Sequence, residues 1–150
     1  FRRLKAPSEH LPGADFANED MTEADLEGTC LEGANLEGVI FERAKLAEAN
    51  LKSARLNRTK CSEADLKSAD LSNAFLEDAI LQEACLDGAT LHEAELLRTA
   101  LFKTSLVSAK LTSAKITGAG LVAANLSNAV LDWAVITDVA FKAAILVGVS

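Results

Sequence analysis

The hydrophobic positions of this chain recur every five residues along almost its whole length. From Leu11 to Leu146 this period defines 28 central positions without an insertion, and 21 of them are leucine. The remaining central positions hold Phe16, Met21, Phe41, Cys61, Ile116, Ile136 and Phe141. Three residues after each central residue stands a small residue, which is alanine in 20 of 28 cases. A repeat this regular determines the fold before any other feature of the sequence.

A period of five is incompatible with a buried helix face and with a flat strand. A helix turns by about 100° per residue, so successive leucines would lie about 140° apart and would spread around the whole helix. In a flat strand an odd spacing would place successive leucines on opposite faces. The pattern instead predicts a coil with flat sides, in which each pentapeptide turns one Leu and one Ala inward. Successive coils would stack at about 4.8 Å through backbone hydrogen bonds.

The tandem motif A(D/N)LXX, seen at 64–68, 69–73 and 124–128, resembles that of the pentapeptide-repeat proteins. The resemblance covers about residues 11 to 149. It implies an all-β solenoid, the right-handed quadrilateral β-helix of that family, with four pentapeptides per coil. The 28 central positions then correspond to about seven coils and a rod about 34 Å long. Because this fold hosts several unrelated roles, it does not by itself assign a function.

The repeat divides the chain into a leader and a solenoid. Residues 1–10 break the pattern, and we expect them to form an N-terminal cap, or else a linker from an upstream domain. Residues 11–150 form the predicted pentapeptide-repeat β-helix. The start at Phe1 rather than Met indicates a processed product or a fragment. Within the solenoid, Glu19 occupies a small-residue site and predicts a bulge or an outward-turned side chain. Gly28, Gly33 and Gly38 mark corners, where glycine tolerates strained dihedral angles.

Charge argues against general nucleic-acid binding and is unevenly distributed along the chain. The formal net charge is −7, which disfavours contacts with phosphates. Residues 11–48 hold ten acidic residues against Arg43 and Lys45, whereas residues 96–131 hold four basic residues and no acid. The longest apolar runs fall well short of 18 residues, so the sequence predicts no membrane span.

The residues that most often carry chemistry do not combine into a site. Cys61 is a central residue one coil after Phe41 and is interpreted as a core filler that compensates for the larger ring. Cys30 and Cys85 lie on different sides, about 14 Å apart along the axis, which is too far for a disulfide. His10 and His92 lie about 19 Å apart and cannot share a metal ion. We therefore predict a protein that is not an enzyme and that uses no cofactor or metal.

Two apolar surfaces are predicted to be exposed and are the candidate interaction sites. One side of the rod presents Ile80, Phe102 and Val122. The final coil presents Trp133, Val135, Ile145 and Val147. Contiguous exposed apolar surface marks an interaction site more often than not. The alternative is that a further terminal segment covers it.

Three hypotheses from different classes follow from these observations. The first is a protein-interaction scaffold with a protein partner of unknown identity; one form of it is a homodimer through the C-terminal end. The second is a DNA mimic that modulates DNA gyrase or a related topoisomerase, as the resemblance implies for some relatives. It requires a sustained negative side, whereas the sides of this rod mix signs. The third, an enzyme, is disfavoured. The resemblance leaves the compartment open between the bacterial cytoplasm and a cyanobacterial or chloroplast setting.

Overall fold

The computed structural model describes residues 3–150, which form one continuous ladder of stacked coils. Residues pair in parallel with residues 20 positions further along the chain, from Lys5 with Asp25 to Asn125 with Ile145. Twenty residues is the length of four pentapeptides, so equivalent positions of the repeat lie above one another. Phe1 and Arg2, the first two residues of the predicted leader, lie outside the described residues.

Each pentapeptide contributes the same set of backbone hydrogen bonds to this ladder. The N–H group of Leu66 donates to the carbonyl of Cys85 at 2.7 Å, and the N–H group of Cys85 donates to the carbonyl of Ala64 at 2.9 Å. Within the pentapeptide, the N–H group of Ala69 donates back to the carbonyl of Leu66 at 3.1 Å and closes a turn. These bonds explain the strict period, because an insertion in one coil would misalign it with both neighbours.

The second residue after each central residue turns the corner between two sides, and it is called the corner residue below. Its φ angle is positive throughout the ladder, for example +55° at Ser68 and +58° at Asn73. A positive φ at this position of a hydrogen-bonded turn is the signature of a type II turn. Gly28, Gly33 and Gly38 adopt φ values of +64°, +65° and +68°, as the sequence predicted for corners. In these coils glycine avoids the strain that an L side chain meets there.

Two segments near the C-terminus are extended for long enough to count as strands. They are β1, Lys115–Thr117, and β2, Val135–Thr137, which pair in parallel with Ile116 opposite Ile136. Both are centred on isoleucine, whose branched Cβ favours an extended backbone. Elsewhere the ladder consists of single β-bridges, because a turn follows each paired residue almost at once.

The core is a stack of central and small residues enclosed by the coils. Most central leucines are buried; Leu36, Leu51 and Leu86, for example, have no exposed surface. Thr29, Thr59, Thr99 and Thr104 replace alanine and are also fully buried. Their hydroxyl groups find backbone acceptors, as where Thr104 Oγ1 donates to the carbonyl of Leu81 at 2.7 Å. This bond removes the cost of burying a polar group and explains why threonine is tolerated at the small site.

The N-terminal end follows the repeat more closely than its sequence suggests. The N–H groups of Ala6 and Ser8 donate to the carbonyls of Asp25 and Glu27 at 2.9 and 2.7 Å. Residues 3–10 therefore already belong to the ladder, and their role as a cap stays a prediction. The prediction of a bulge at Glu19 is wrong, because Asp15 and Asp20 both keep their pairing with residues 20 positions further along the chain. Only backbone atoms form the ladder, so a long side chain at this site does not interrupt it.

Candidate interaction surfaces

The last coil exposes a group of large apolar side chains. Trp133 is 88% exposed, and Val135, Ile145 and Val147 are 53%, 47% and 68% exposed. All four were predicted from the sequence as interaction residues. Ile136 and Leu146, also in this coil, are 38% and 48% exposed and were not among the predicted residues. The last coil is therefore the most apolar surface of the described rod.

These side chains are exposed for two different reasons. Some lie at the open end of the rod, and others point outward from its sides. Ile136 and Leu146 are central residues, and central residues are buried wherever a coil lies on both sides. Trp133 is instead a corner residue with a φ of +61°, like Asn73 and Glu93 in the same column. Asn73 and Glu93 are exposed although coils flank them. Another coil stacked on the last one would cover Ile136 and Leu146, but it would leave the Trp133 side chain at the surface.

The second predicted surface is less exposed than the sequence suggested. Ile80 is 38% exposed, but Phe102 and Val122, in the next two coils of the same side, are half-buried. The ammonium group of Lys103 lies 5.2 Å from the centroid of the Phe102 ring. A cation at this distance interacts with the ring face, so Phe102 already has a partner within the chain.

Sequence reasoning missed an exposed aromatic residue on a different side. Phe75 is 41% exposed and lines a surface depression of about 390 Å³ together with Asn73, Glu93, Glu95, Ser113 and Lys115. Its pairing partners in the coils before and after are Arg55 and Glu95, both charged. Sorting the sequence by twenty places this aromatic residue in a column that is otherwise polar from Asp15 to Lys115 and ends at Val135. A second depression, of about 190 Å³, is lined by charged and amide side chains, Glu37, Asn57, Arg58, Glu77 and Asp78.

Charges of opposite sign face each other between successive coils. Glu23 accepts a hydrogen bond from Arg3 Nε at 2.6 Å and pairs with Arg43 at 3.4 Å, in the coils on either side. The hydrogen bond from Arg3 is the main reason why the pKa of Glu23 lies below its ordinary value. Lys115 likewise pairs with Glu95 at 2.8 Å. At Glu23 and at Glu95, the acidic surface is thus interrupted by cations of neighbouring coils.

A partly buried carboxylate shows how local hydrogen bonds act against burial. Burial by itself would raise the pKa of Asp70. Two hydrogen bonds from Ser72, at 3.0 Å from its N–H group and 2.6 Å from its hydroxyl, act in the opposite direction, as does Lys52 at 3.2 Å. The net effect is a pKa for Asp70 below its ordinary value. The residue therefore stays ionised and ties a turn to the preceding coil.

The family is decided by the repeat itself. A sequence model described as pentapeptide repeats matches the chain in 8 copies, over residues 10–38, 31–60, 59–96 and 104–142. This chain belongs to the pentapeptide repeat family. A comparison with curated proteins found no match.

Solved structures of other pentapeptide repeat proteins show the same fold. A trypsin-treated variant of QnrB1, described as a plasmid-mediated fluoroquinolone resistance protein, matches with a TM-score of 0.72 and 18% identity, over 97% of this chain and 74% of that one. A second such variant matches with a TM-score of 0.55 and 19% identity, over 100% and 86% of the two chains. At these identities the similarity establishes the fold, a right-handed β-helix, and not the function.

A further pentapeptide repeat protein in this comparison comes from a cyanobacterium. HetL from Nostoc sp. strain PCC 7120, described as involved in heterocyst differentiation regulation, is 24% identical over 100% of this chain and 88% of that one, with a TM-score of 0.49. The similarity is too weak to carry an argument about this chain.

The cysteines and histidines of this pentapeptide repeat protein lie apart from one another. Burial raises the pKa of the Cys61 thiol to about 12, so this thiol stays protonated, in agreement with its interpretation as a core filler. His92 Nδ1 lies 3.1 Å from the carbonyl oxygen of Thr112, a backbone contact. Between residues 3 and 150, no three His, Cys, Asp or Glu side chains are grouped as a metal ion would require. The same part of the chain contains no helix of the length and hydrophobicity needed to cross a bilayer.

Proposed function

We propose that this protein is a non-enzymatic protein-interaction scaffold, a rigid β-helical rod that presents its flat sides and its last coil to a protein partner. The observation that carries the proposal is Trp133. It is 88% exposed at a corner position that further stacking would not cover. Large aromatic side chains dominate the energetics of protein interfaces, so an exposed tryptophan favours a binding surface.

The fine architecture of the scaffold is part of the same proposal. Pairing of residues 20 positions apart supports a cross-section with four sides, each formed by one pentapeptide. At this spacing the repeat forms about seven coils and a rod about 34 Å long. The rod is stiff because the backbone of each coil is hydrogen-bonded to both neighbours, so its sides can hold surface residues in a fixed array.

We propose a second copy of this chain as the first partner of the last coil. In addition to Trp133, Val135, Ile145 and Val147, this coil carries the exposed charges Asp138 and Lys142. In a two-fold interface every contact occurs twice, so if Asp138 of one copy met Lys142 of the other, the same ion pair would form a second time. Two-fold pairing of identical ends also closes the assembly, whereas head-to-tail stacking would continue into fibres.

A DNA mimic that modulates DNA gyrase or a related topoisomerase is the second candidate. It is favoured by the fold shared with QnrB1, which is described as a fluoroquinolone resistance protein. A mimic must present an extended row of negative charge. The alternation of Glu23 with Arg3 and Arg43, and of Glu95 with Lys115, argues against such a row. The scaffold is therefore the better supported of the two functions.

The test of the scaffold is quantitative affinity capture from the native source with three forms of the protein. The wild type is compared with Trp133→Glu and with Ser53→Glu, a matched substitution at an exposed corner residue of the same column. We expect specific partner proteins that are lost with Trp133→Glu and retained with Ser53→Glu. Identical captured sets for the three forms would contradict the proposal, as would the absence of any enriched protein.

A further inference from the structure

Phe75 is an exposed aromatic residue in the middle of the rod, where the open end cannot account for its exposure. Coils pair with it on both sides, through Arg55 and Glu95. It nevertheless remains 41% exposed. The ladder uses only backbone atoms, so it does not require a phenylalanine at this position. Exposing the ring to water therefore has a cost that the fold itself does not explain.

The depression beside Phe75 is a trough between two rows of side chains that run along the rod. Its first row consists of the corner residues Asn73, Glu93 and Ser113, and the second of Phe75, Glu95 and Lys115. Between the rows lie alanines that turn inward, including Ala74 and Ala94, both fully buried. The backbone therefore forms the floor of the trough, and its volume of about 390 Å³ leaves room for a side chain from outside.

Comparison with Phe102 indicates which kind of side chain the trough would bind. The Phe102 ring has the ammonium group of Lys103 at 5.2 Å. The Phe75 ring has no comparable cation. Glu95, next to Phe75 in the same row, is already paired with Lys115 at 2.8 Å. The imidazole Nε2 of His92 lies 3.4 Å from Glu93 Oε1, and among residues 3–150 no Lys or Arg is paired with Glu93.

We propose that the trough binds an arginine side chain carried by an extended segment of a protein partner. The guanidinium would stack on the Phe75 ring and donate hydrogen bonds to the Glu93 carboxylate. Arginine suits this site better than lysine, because its planar group stacks on an aromatic face while its N–H groups still reach a carboxylate. The inference rests on the scaffold function proposed above and names the partner chemistry of one side of the scaffold.

Binding of short peptides to the labelled protein tests this inference directly. The probes are acetyl-Gly-Arg-Gly-amide, the same peptide with citrulline, and the same peptide with leucine. Citrulline keeps the shape of arginine but removes its charge. In two-dimensional NMR titrations we expect the arginine peptide to give saturable shifts at Phe75, Glu93 and Ser113, with millimolar affinity. The citrulline and leucine peptides should give much smaller shifts.

Variants then separate the trough from the rest of the rod. Phe75→Ala should weaken binding of the arginine peptide by about five-fold, because it removes the stacked ring. Glu93→Gln should weaken it by about three-fold, since it removes one exposed charge pair. Glu63→Gln, at an exposed corner residue of another side, is the control and should leave binding unchanged. The titrations are repeated in Trp133→Glu, so that association of two copies cannot block the trough.

Three results would overturn the inference. They are saturable binding of all three peptides alike, an absence of shifts with the arginine peptide at tens of millimolar, and an affinity for the arginine peptide that is the same in Phe75→Ala as in the wild type. None of these results depends on Trp133. If the capture experiment identifies a partner while the arginine peptide fails to bind, the scaffold stands and the assignment of the trough fails.

Discussion

Arg98 and Asp78 form a two-pronged ion pair between successive coils. Arg98 Nε donates to Asp78 Oδ1 at 2.7 Å and Arg98 Nη2 donates to Asp78 Oδ2 at 2.8 Å. The two residues are 20 positions apart and therefore occupy the same place in neighbouring coils. Such pairs neutralise surface charge along the rod axis, so the net charge of −7 is not displayed as a continuous negative side.

This pair predicts a pH-dependent contribution to stability. The hydrogen bond from Arg98 holds the pKa of Asp78 below its ordinary value. The contribution should therefore be fully present above the unfolded-state pKa of about 3.9 and be lost as the pH falls through the lowered folded-state value. In thermal unfolding, the Tm of Asp78→Asn should lie below that of the wild type at pH 7, and the two Tm values should converge near pH 2. A difference of equal size at both pH values would contradict this explanation.

The one-dimensional packing of the core predicts unequal costs for the same substitution. Leu71 is 1% exposed in mid-rod, whereas Leu146 is 48% exposed in the last coil. Leu71→Ala should lower the free energy of unfolding by about 2–5 kcal/mol, the range for a buried leucine. Leu146→Ala should cost clearly less, because its side chain is half exposed and the end of a solenoid is locally weak. Denaturant unfolding measures both, and equal losses would argue against this packing.

Phe41 and Cys61 are stacked in the same column of the core, and the small Cys61 is expected to compensate for the volume of the Phe41 ring. Both residues are buried, at 0% and 2% exposure, and they occupy equivalent positions of successive coils. Cys61→Leu should destabilise the protein by about 1–3 kcal/mol, because it adds volume to a filled core. In the Phe41→Leu background the same change should cost much less, since the smaller side chain frees space. A double-mutant cycle without coupling between the two positions would show that their volumes are independent.

The backbone of this protein is predictable from sequence because one physical rule repeats without interruption. Each central Leu and each small Ala must face inward, so the five-residue period alone requires stacked coils. The same rule limits the effect of exceptions such as Glu19, where a bulge was one of two expectations. Ladder bonds on both sides keep the register there, whatever the local side chain. Such consistency across levels makes the fold robust to single exceptions.

The exposure of surface side chains is less predictable, because it depends on neighbours that the period does not specify. Phe102 was expected to be exposed, but Lys103 lies over its ring and the residue is half-buried. Phe75 was overlooked because its neighbours in the column, Arg55 and Glu95, are charged. Trp133 was identified correctly as exposed, and its corner position, two residues after Leu131, follows from the period; the structure adds its positive φ of +61° and its exposure of 88%.

The mixed signs of the sides predict the outcome of a gyrase assay. A protein that competes with DNA must reproduce a long row of phosphate charge, whereas here cations such as Arg43, Arg98 and Lys115 face acids of neighbouring coils. We expect no inhibition of gyrase supercoiling at low micromolar protein. Supercoiling lost at such concentrations would place the DNA-mimic function ahead of the scaffold.

The central claim is that the apolar surface of the last coil mediates association. Trp133 and the other exposed residues of the last coil, Val135, Ile145 and Val147, point outward, so the second copy would have to reach past the open end onto the sides of the coil to cover Trp133. A charge at position 133 could not be buried there without a partner. Trp133→Glu should therefore dissociate the dimer. Phe75→Glu, a comparable change on a mid-rod side, should leave it intact and serves as the control.

Sedimentation velocity on residues 1–150 in the tens of micromolar range tests this claim most directly. The account predicts a dimer for the wild type and for Phe75→Glu, and a monomer for Trp133→Glu. Larger species that grow with concentration would indicate head-to-tail stacking instead of two-fold closure. A wild-type protein that sediments as a monomer at these concentrations would contradict the claim.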